Sequence, residues 1–521
     1  YQGERQVPLI PKEARSMMVL GSGPIRIGQG IEFDYSTVHA AWTLKEHGYQ
    51  AVIVNNNPET VSTDNYTSDR LYFEPLGEEE VWEIYQVEKA EGIFVQFGGQ
   101  TAINLAEFIH KEQMPIVGTT SPNVAGMEDR EQFDAAMEAL NIPRPKGYTA
   151  HSPEAVRDLE DQLHYPIVVR PSFVMGGRGM EVISSEDALE EYLSTISEHK
   201  GWPLLMDSYL AGVEVEVDAI SDGEEVFIPG VMEHLERAGV HSGDSIAVFP
   251  SQSISEGFLQ EIYEYTLKIA RHFQVKGFLN IQFVIADGKV YVLEVNPRSS
   301  RTVPFLSKVT GISLAKLATE ASLGKPLKEL GYIGLSKPDD SVVSVKIPVF
   351  SFAKLTGTEI TLGPEMKSTG EAMGRERNLA KALYKGFLAA KVEMPKKRRA
   401  LITVADRDKG ELGELGPRLA SLGFSLVATS GTAKALEQLG IACKEVDKLA
   451  EGTAILDLLS SAEIDLVINT ITLGKQPQRD GFRIRREAVE RGIPCFTSLD
   501  TLKAYLQVVE DRELWLAPLK G

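Results

Sequence analysis

Short apolar runs rich in β-branched residues alternate with amphipathic stretches along this chain, and the character of that alternation changes from one region to the next. Ser16-Met17-Met18-Val19-Leu20 reads as a buried strand running into a glycine-rich turn, Gly21-Ser22-Gly23-Pro24-Ile25-Arg26-Ile27-Gly28-Gln29-Gly30. A helix over 33–47 and a strand over 51–54 complete a βαβ unit, and strands over 92–96 and 115–118 extend a parallel sheet to about residue 120. Gly98-Gly99-Gln100 and Asn104 collect polar groups at the strand ends, where such sheets bind ligands. After a helix over 129–140 the strands shorten, which marks a boundary near residue 125.

The most informative stretch is 279–301. Two β-branched and aromatic runs flank Asp287-Gly288, the strongest short-range hairpin signal, and Pro297 stops the second strand. Glu294 and Asn296 are two apart and share a face, offering oxygen ligands of the kind magnesium prefers. Gln282 joins them only in one register. A two-residue loop pairs Gln282 with Leu293 and sends it to the other face, whereas a three-residue loop over 286–288, with Gly288 left-handed, aligns it with Glu294. The expectation is therefore a loop with an odd residue count. The plainer reading is an amphipathic hairpin with a wet polar face, but Arg298 and Arg301 just beyond the strand suit a metal-bridged polyphosphate.

Between these regions, 165–182 reads as strand, glycine-rich loop and strand. It lacks the Lys-Ser/Thr and the following helix of a P-loop, so the loop would cover phosphates as a flap. Arg170, at the end of a buried-looking strand, requires an anionic partner. The run 204–210 offers a backbone edge for a base. In Val213-Glu214-Val215-Glu216-Val217-Asp218 acids alternate with valines, and such a face is usually solvated; an acid on a ribose hydroxyl pair is the sharper reading. The loop 233–245 is more polar than a connector needs, and a helix over 259–273 leads into the hairpin.

Apolar helical sequence over 314–323 and a Pro/Gly-rich passage to about 377 read as a connecting region; the turn 363–370 within it has no role derivable from sequence. The charge run 396–399 reads as a solvated linker. Beyond it, strands over 400–404, 425–428, 465–468 and 494–496 alternate with helices as a compact doubly wound domain. Its Thr429-Ser430-Gly431-Thr432 joins a strand to a helix in the arrangement that holds phosphate on backbone N–H groups.

At 521 residues the chain exceeds one core and predicts about three or four domains. A net charge of −20, from 54 basic and 74 acidic residues, argues against binding to nucleic acid or a membrane surface. Two cysteines, Cys443 and Cys495, make neither a disulfide framework nor a metal box; with no apolar run of spanning length and no signal-peptide layout, a cytoplasmic protein is expected. NAD binding is disfavoured: the glycines are spaced G-x-G-x-x-x-x-G, Pro24 interrupts, and the second strand ends in Asn55-Asn56-Asn57-Pro58 without an acid for a ribose.

Gly23 to Ser36, Asn57 to Asp64, Phe97 to Thr101, Arg170-Pro171-Ser172, Gly239 to Ser245 and Glu294 to Phe305, in this order, resemble the C-terminal half of the large subunit of carbamoyl-phosphate synthetase over nearly the whole chain. Within that family, 239–245 and 295–305 are more similar to the carbamate-phosphorylating half than to the first half. The resemblance implies an α/β multidomain fold: a pre-ATP-grasp parallel-sheet lobe (1–125), an ATP-grasp domain (126–325), a helical connector (326–398) and a doubly wound methylglyoxal-synthase-like regulatory domain (399–521). It implies ATP with magnesium or manganese, two ions per site, in a step of pyrimidine and arginine biosynthesis. Arg170 would meet nucleotide phosphate, Ser208 and Leu210 the adenine, and Glu214 the ribose, with Gly239, Val240, His241 and Ser242 lining the pocket. Gln282, Glu294 and Asn296 become metal ligands, with Arg298 and Arg301 at the transferred phosphoryl group. Lys409, Thr429, Thr432, Lys448 and Asn469 fall where the family binds an effector nucleotide. The implied partners are an N-terminal synthetase half and a small glutaminase subunit, in a hetero-oligomer. Of the acids that bind ornithine in activated members, Glu236 and Asp244 have counterparts but the third position is Ile347, so ornithine activation is not expected. Other ATP-grasp ligases, and a nucleotide-sensing subunit with a spent active site, remain the alternatives.

Overall fold

The computed structural model describes residues 15–511 apart from 172–176, 178, 197–201, 356, 448, 450–451, 462 and 472–479. Ser16–Leu20 is buried along its whole length because it is the middle strand of a parallel five-stranded sheet. The spatial order is Arg70–Tyr72, Gln50–Val54, Ser16–Leu20, Gly92–Phe94, Ile116–Val117. The C-terminal sheet repeats it: Cys443–Val446, Ser425–Thr429, Arg399–Thr403, Leu466–Asn469, Cys495–Phe496, again parallel. In each sheet the chain reverses direction beside the first strand, which leaves a crevice at the strand ends there.

Between them lie a four-stranded and a nine-stranded sheet. In the smaller, Ile167–Pro171 pairs antiparallel with both Glu181–Ile183 and Leu204–Ser208, so the flap expected over 165–182 has its two strands, while 172–176 and 178 at its tip lie outside the described residues. In the larger, Val213–Asp222 pairs along its length with Lys276–Ala286, which pairs with Lys289–Asn296.

Among its described residues, the passage expected as a helical connector contains a short helix, Leu327–Leu330, a longer one, Leu379–Ala389, and a strand pair, Val343–Val349 with Gly370–Glu376, that extends the nine-stranded sheet through Ala247–Phe249. Alternating apolar positions put Val345 and Ile347 against Leu383 and Phe387, in a core shared with Leu502, Tyr505 and Leu506 of the C-terminal domain. On the other side, Ala40, Ala41 and Leu44 of the helix Glu32–Glu46 share a core with Leu314, Ala315 and Ala318 of Leu314–Ser322. The nine-stranded sheet is thus welded to both end domains by apolar contact.

Candidate active site

The hairpin is built differently from expectation. Asp287 and Gly288 form a two-residue turn, with Ala286 opposite Lys289 and both turn residues left-handed (φ 49° and 72°), a pattern that matches the twist of the flanking strands. The odd loop is therefore absent. Gln282 nonetheless faces Glu294, because the register shifts between Gln282 and Phe283: Phe283 pairs with Val292, Gln282 with Glu294, and Leu293 is an extra, bulged residue. The bulge turns Leu293 and Glu294 together toward the cleft while Val292 stays in the core. Val292 N–H donates to Pro143 O at 2.9 Å, outside the ladder. Two patterns required this: Val290 and Val292 belong to the core, Glu294 and Asn296 to the cleft, and a regular strand of even period cannot satisfy both.

Arg170, Ser208, Leu210, Glu214, Gly239, Val240, His241, Ser242, Gln282, Glu294, Asn296, Arg298 and Arg301 all line one cleft between the two central sheets. Arg170 Nη1 lies 3.8 Å from Glu294 Oε2. Gln282 Nε2 donates to Ser242 Oγ at 3.0 Å, and Asn296 Nδ2 to Asn280 Oδ1 at 3.3 Å. Arg298 donates to Asn296 Oδ1 (3.3 Å) and to Gln100 Oε1 of the first lobe (2.9 Å). Arg301 is gripped by Glu32 Oε1, also of the first lobe, at 2.7 Å and by Ser368 Oγ at 2.9 Å. Near Leu210, the Ser208 and Tyr209 N–H groups are engaged by Lys146 O and Pro166 O.

The acids on Val213–Asp222 are buried rather than solvated: Glu214, Glu216 and Asp218 are 7%, 3% and 2% exposed. No local pattern along the chain pointed to the cation among them. His234, from the paired strand Met232–His234, sits between Glu214 and Glu216 at 3.4 and 3.5 Å. Burial opposes its charge, but hydrogen bonding to those two carboxylates raises its pKa to about 9. Burial likewise works against the Glu216 carboxylate, yet His234 and the charge of Lys346 hold it down at about 2. Asp218 is pushed up to about 6, by burial first and by the Glu216 charge second. Lys346 is 1% exposed and donates to Ser242 O at 2.9 Å. Glu214 accepts from Gly239 N at 3.2 Å and so anchors the loop that follows His234. The roles of His234 and Lys346 are not visible along the chain, because only pairing across the sheet shows which acids each meets.

Among the described residues no cluster of three or more His, Cys, Asp or Glu could hold a metal by itself. The hairpin offers one carboxylate and two amides, a set fitting a hard cation that also binds phosphate oxygens, and Glu216 Oε2, buried in the same cleft, makes no hydrogen bond among the described residues and faces His234 Nε2 at 3.5 Å.

Of the expected effector residues, Thr429, Thr432 and Asn469 gather at the strand ends of the C-terminal sheet. Thr429 Oγ1 donates to Thr403 Oγ1 (3.3 Å), Thr432 Oγ1 accepts from Val404 N (3.2 Å), and Asn469 Oδ1 accepts from Arg485. Lys409 is nearby, 3.0 Å from the position a Cβ on Gly431 would take, and pairs with Asp406. Lys448 lies outside the described residues. The acids aligned with an ornithine site have other duties: Glu236 accepts from Thr501 and Ile246 N, and Asp244 from Lys367 N and Ser368 N, while Ile347 is 2% exposed in the shared core.

The chain matches the carbamoyl phosphate synthase preATP-grasp domain over residues 13–126, the carbamoyl-phosphate synthase L chain ATP binding domain over 129–330, and the MGS-like domain over 411–497. Among solved structures it is similar to the ADP complex of an N5-carboxyaminoimidazole ribonucleotide synthetase (16% identity, TM-score 0.56, covering 71% of this chain and 95% of that one). It is also similar to the biotin carboxylase domain of Hydrogenobacter thermophilus 2-oxoglutarate carboxylase with MgADP and bicarbonate (16%, 0.55, 72% and 90%), and to the Thermus thermophilus N5-carboxyaminoimidazole ribonucleotide synthetase (15%, 0.54, 73% and 99%). At these identities the likeness is one of fold. Among the described residues no helix is long and apolar enough to cross a membrane. With the pre-ATP-grasp, ATP-binding and MGS-like domains in sequence, the chain belongs to the carbamoyl-phosphate synthase large-chain family and corresponds to its C-terminal half with the regulatory domain.

Proposed function

We propose that this chain phosphorylates carbamate with ATP, giving carbamoyl phosphate and ADP. The observation that carries the reading is the convergence of Arg170, Gln282, Glu294, Asn296, Arg298 and Arg301 on one cleft wall, with the last two arginines held by Gln100 and Glu32 of the first lobe. In that pose adenine lies at Leu210, ribose at Glu214, and the phosphates run along the hairpin toward Arg301. Gln282, Glu294 and Asn296 would hold magnesium, which when bound would supply charge neutralisation on the phosphates. The carbamate oxygen is already anionic, so its attack on the γ-phosphorus needs no general base; the new P–O bond forms as the bond to the β-phosphate oxygen breaks and ADP departs. Arg298 and Arg301 neutralise the transferred group, and their anchoring across two lobes fixes them for that purpose before substrate arrives.

Carbamate is short-lived in water, which supports a partner that makes it: an N-terminal synthetase half with a glutaminase subunit, in a hetero-oligomer. Nucleotide control fits the crevice at Thr429, Thr432 and Asn469. Ornithine control does not fit Ile347. The test is the reverse reaction on this chain: ADP, magnesium and carbamoyl phosphate should yield ATP without other subunits. A chain that binds ADP and stays folded but makes no ATP overturns the reading. Transfer of a carboxyl group with formation of a new C–N bond would replace it with another ligase of the same fold.

A further inference from the structure

We propose that residues 359–368 form a strap joining the C-terminal sheet to the wall of the ATP cleft, so that an anion bound beside Asn469 acts on Arg301 and His241 through the Arg485–Glu359 pair. The proposal rests on the nucleotide-control reading above for the anion, but not for the strap.

The far end of the strap is a buried ion pair. Arg485 is 4% exposed; it donates through Nε to Glu359 Oε1 at 2.8 Å and through Nη2 to Glu359 Oε2, while its Nη1 donates to Asn469 Oδ1. Asn469 ends the strand beside the reversal point of the C-terminal sheet, where an anion would be bound. One guanidinium therefore serves both the crevice and the strap. A ligand drawing on Asn469 or on Arg485 changes the field in which Glu359 is held, since burial disfavours the Glu359 charge and Arg485 is what keeps its pKa below the ordinary value.

From Glu359 the strap is fastened at each step. Thr361 N–H and Oγ1 donate to Glu359 Oε1, Leu362 N–H donates to Thr497 Oγ1 at 3.1 Å, and Gly363 O accepts from His241 N at 2.8 Å. Pro364 lies over the glycine-rich flap: a Cβ on Gly177 would come within 2.2 Å of Pro364 O. Lys367 N and Ser368 N both donate to Asp244, each at 2.8 Å, and Ser368 Oγ both accepts from Arg301 and donates to Gly243 O. The strap thus touches the flap, the nucleotide loop and the arginine at the phosphoryl end, within ten residues of a joint in another domain. It also gives the turn 363–370 a role that its sequence did not reveal. Coupling of this kind needs a physical element that both sites bias, and the strap is continuous from one to the other.

The experiment is hydrogen–deuterium exchange on the intact chain, comparing Glu359→Gln, Glu359→Asp and, as a surface control, Lys354→Ala. Without ligand, Glu359→Gln should speed exchange several-fold both at 239–245 and at 466–469, Glu359→Asp should largely restore it, and Lys354→Ala should leave it unchanged. Faster exchange confined to 355–370 and 481–490, or spread over the whole chain including 16–20, overturns the strap as a link. With UMP as probe, the native chain should gain protection at 429–432 and at 239–245, and Glu359→Gln only at 429–432. Equal protection of 239–245 in both overturns the proposal. UMP protection nowhere in the native chain refutes the nucleotide-control reading, and the ligand-free comparison still decides the strap.

Discussion

His234 lies between two buried carboxylates on a strand that faces the ATP cleft, and its removal would leave Glu214 and Glu216 facing each other without a cation. His234→Gln should destabilise the central domain by about 3–5 kcal/mol, the range for breaking a buried ion pair from one side. The pH dependence has a definite sign. A histidine raised from 6.5 to about 9 stabilises fully below 6.5 and loses that contribution as pH rises through about 9. Glu216, lowered from 4.5 to about 2, stabilises above 4.5 and ceases to do so as pH falls toward about 2. Thermal midpoints of native and variant chains should therefore differ most between these limits and converge on the alkaline side. Arg301→Lys keeps a charge but cannot span Glu32 and Ser368 at once; the reverse reaction should fall by about a hundredfold or more in kcat, with nucleotide affinity little changed.

At the scale of elements, the hairpin carries the lesson about what sequence can convey. Strand positions, the place of the turn and the shared face of Glu294 and Asn296 were legible, because alternation and Asp287-Gly288 are local signals, but the residue count of the turn was not. The bulge at Leu293 was not, since it resolves a conflict between the core face of Val292 and the cleft face of Glu294 that arises only when both partners are in place. Two edge strands escaped for a related reason: Arg70–Tyr72 and Cys443–Val446 border their sheets, and Arg70, Lys444 and Glu445 break the apolar run that marks an inner strand. The residues that line the cleft were named from the resemblance, whereas Lys346 and the contacts of Ser368 depend on strands far apart in the chain. Because the bulge puts Leu293 on the cleft wall, Leu293→Ala should weaken ADP binding about tenfold by calorimetry, while the metal requirement of the reverse reaction stays unchanged.

Across the whole molecule, polar joints accompany the apolar welds. Besides the strap, Arg237 beside the nucleotide loop donates to Asp500 Oδ2 (2.7 Å) and Oδ1 (2.8 Å) and to Glu411 of the C-terminal domain. The Arg237 side chain is 50% exposed, so solvent screens the pair and Asp500→Ala should cost about 1 kcal/mol or less. The effect should be visible as faster protease cleavage between 391 and 398 without loss of ADP binding. The strand pair Val343–Val349 and Gly370–Glu376 has a practical consequence for anyone dissecting the protein. It covers Ala247–Phe249, whose backbone would otherwise be an open sheet edge, and the helix Leu379–Ala389 covers the pair in turn. A fragment cut after residue 330, where the family's ATP-binding domain ends, exposes that edge and an apolar face with it, and should aggregate on expression; one carried through to 390 covers the edge but bares the Leu383 and Phe387 face that packs on Leu502 and Tyr505, so it should aggregate less yet not stay monodisperse.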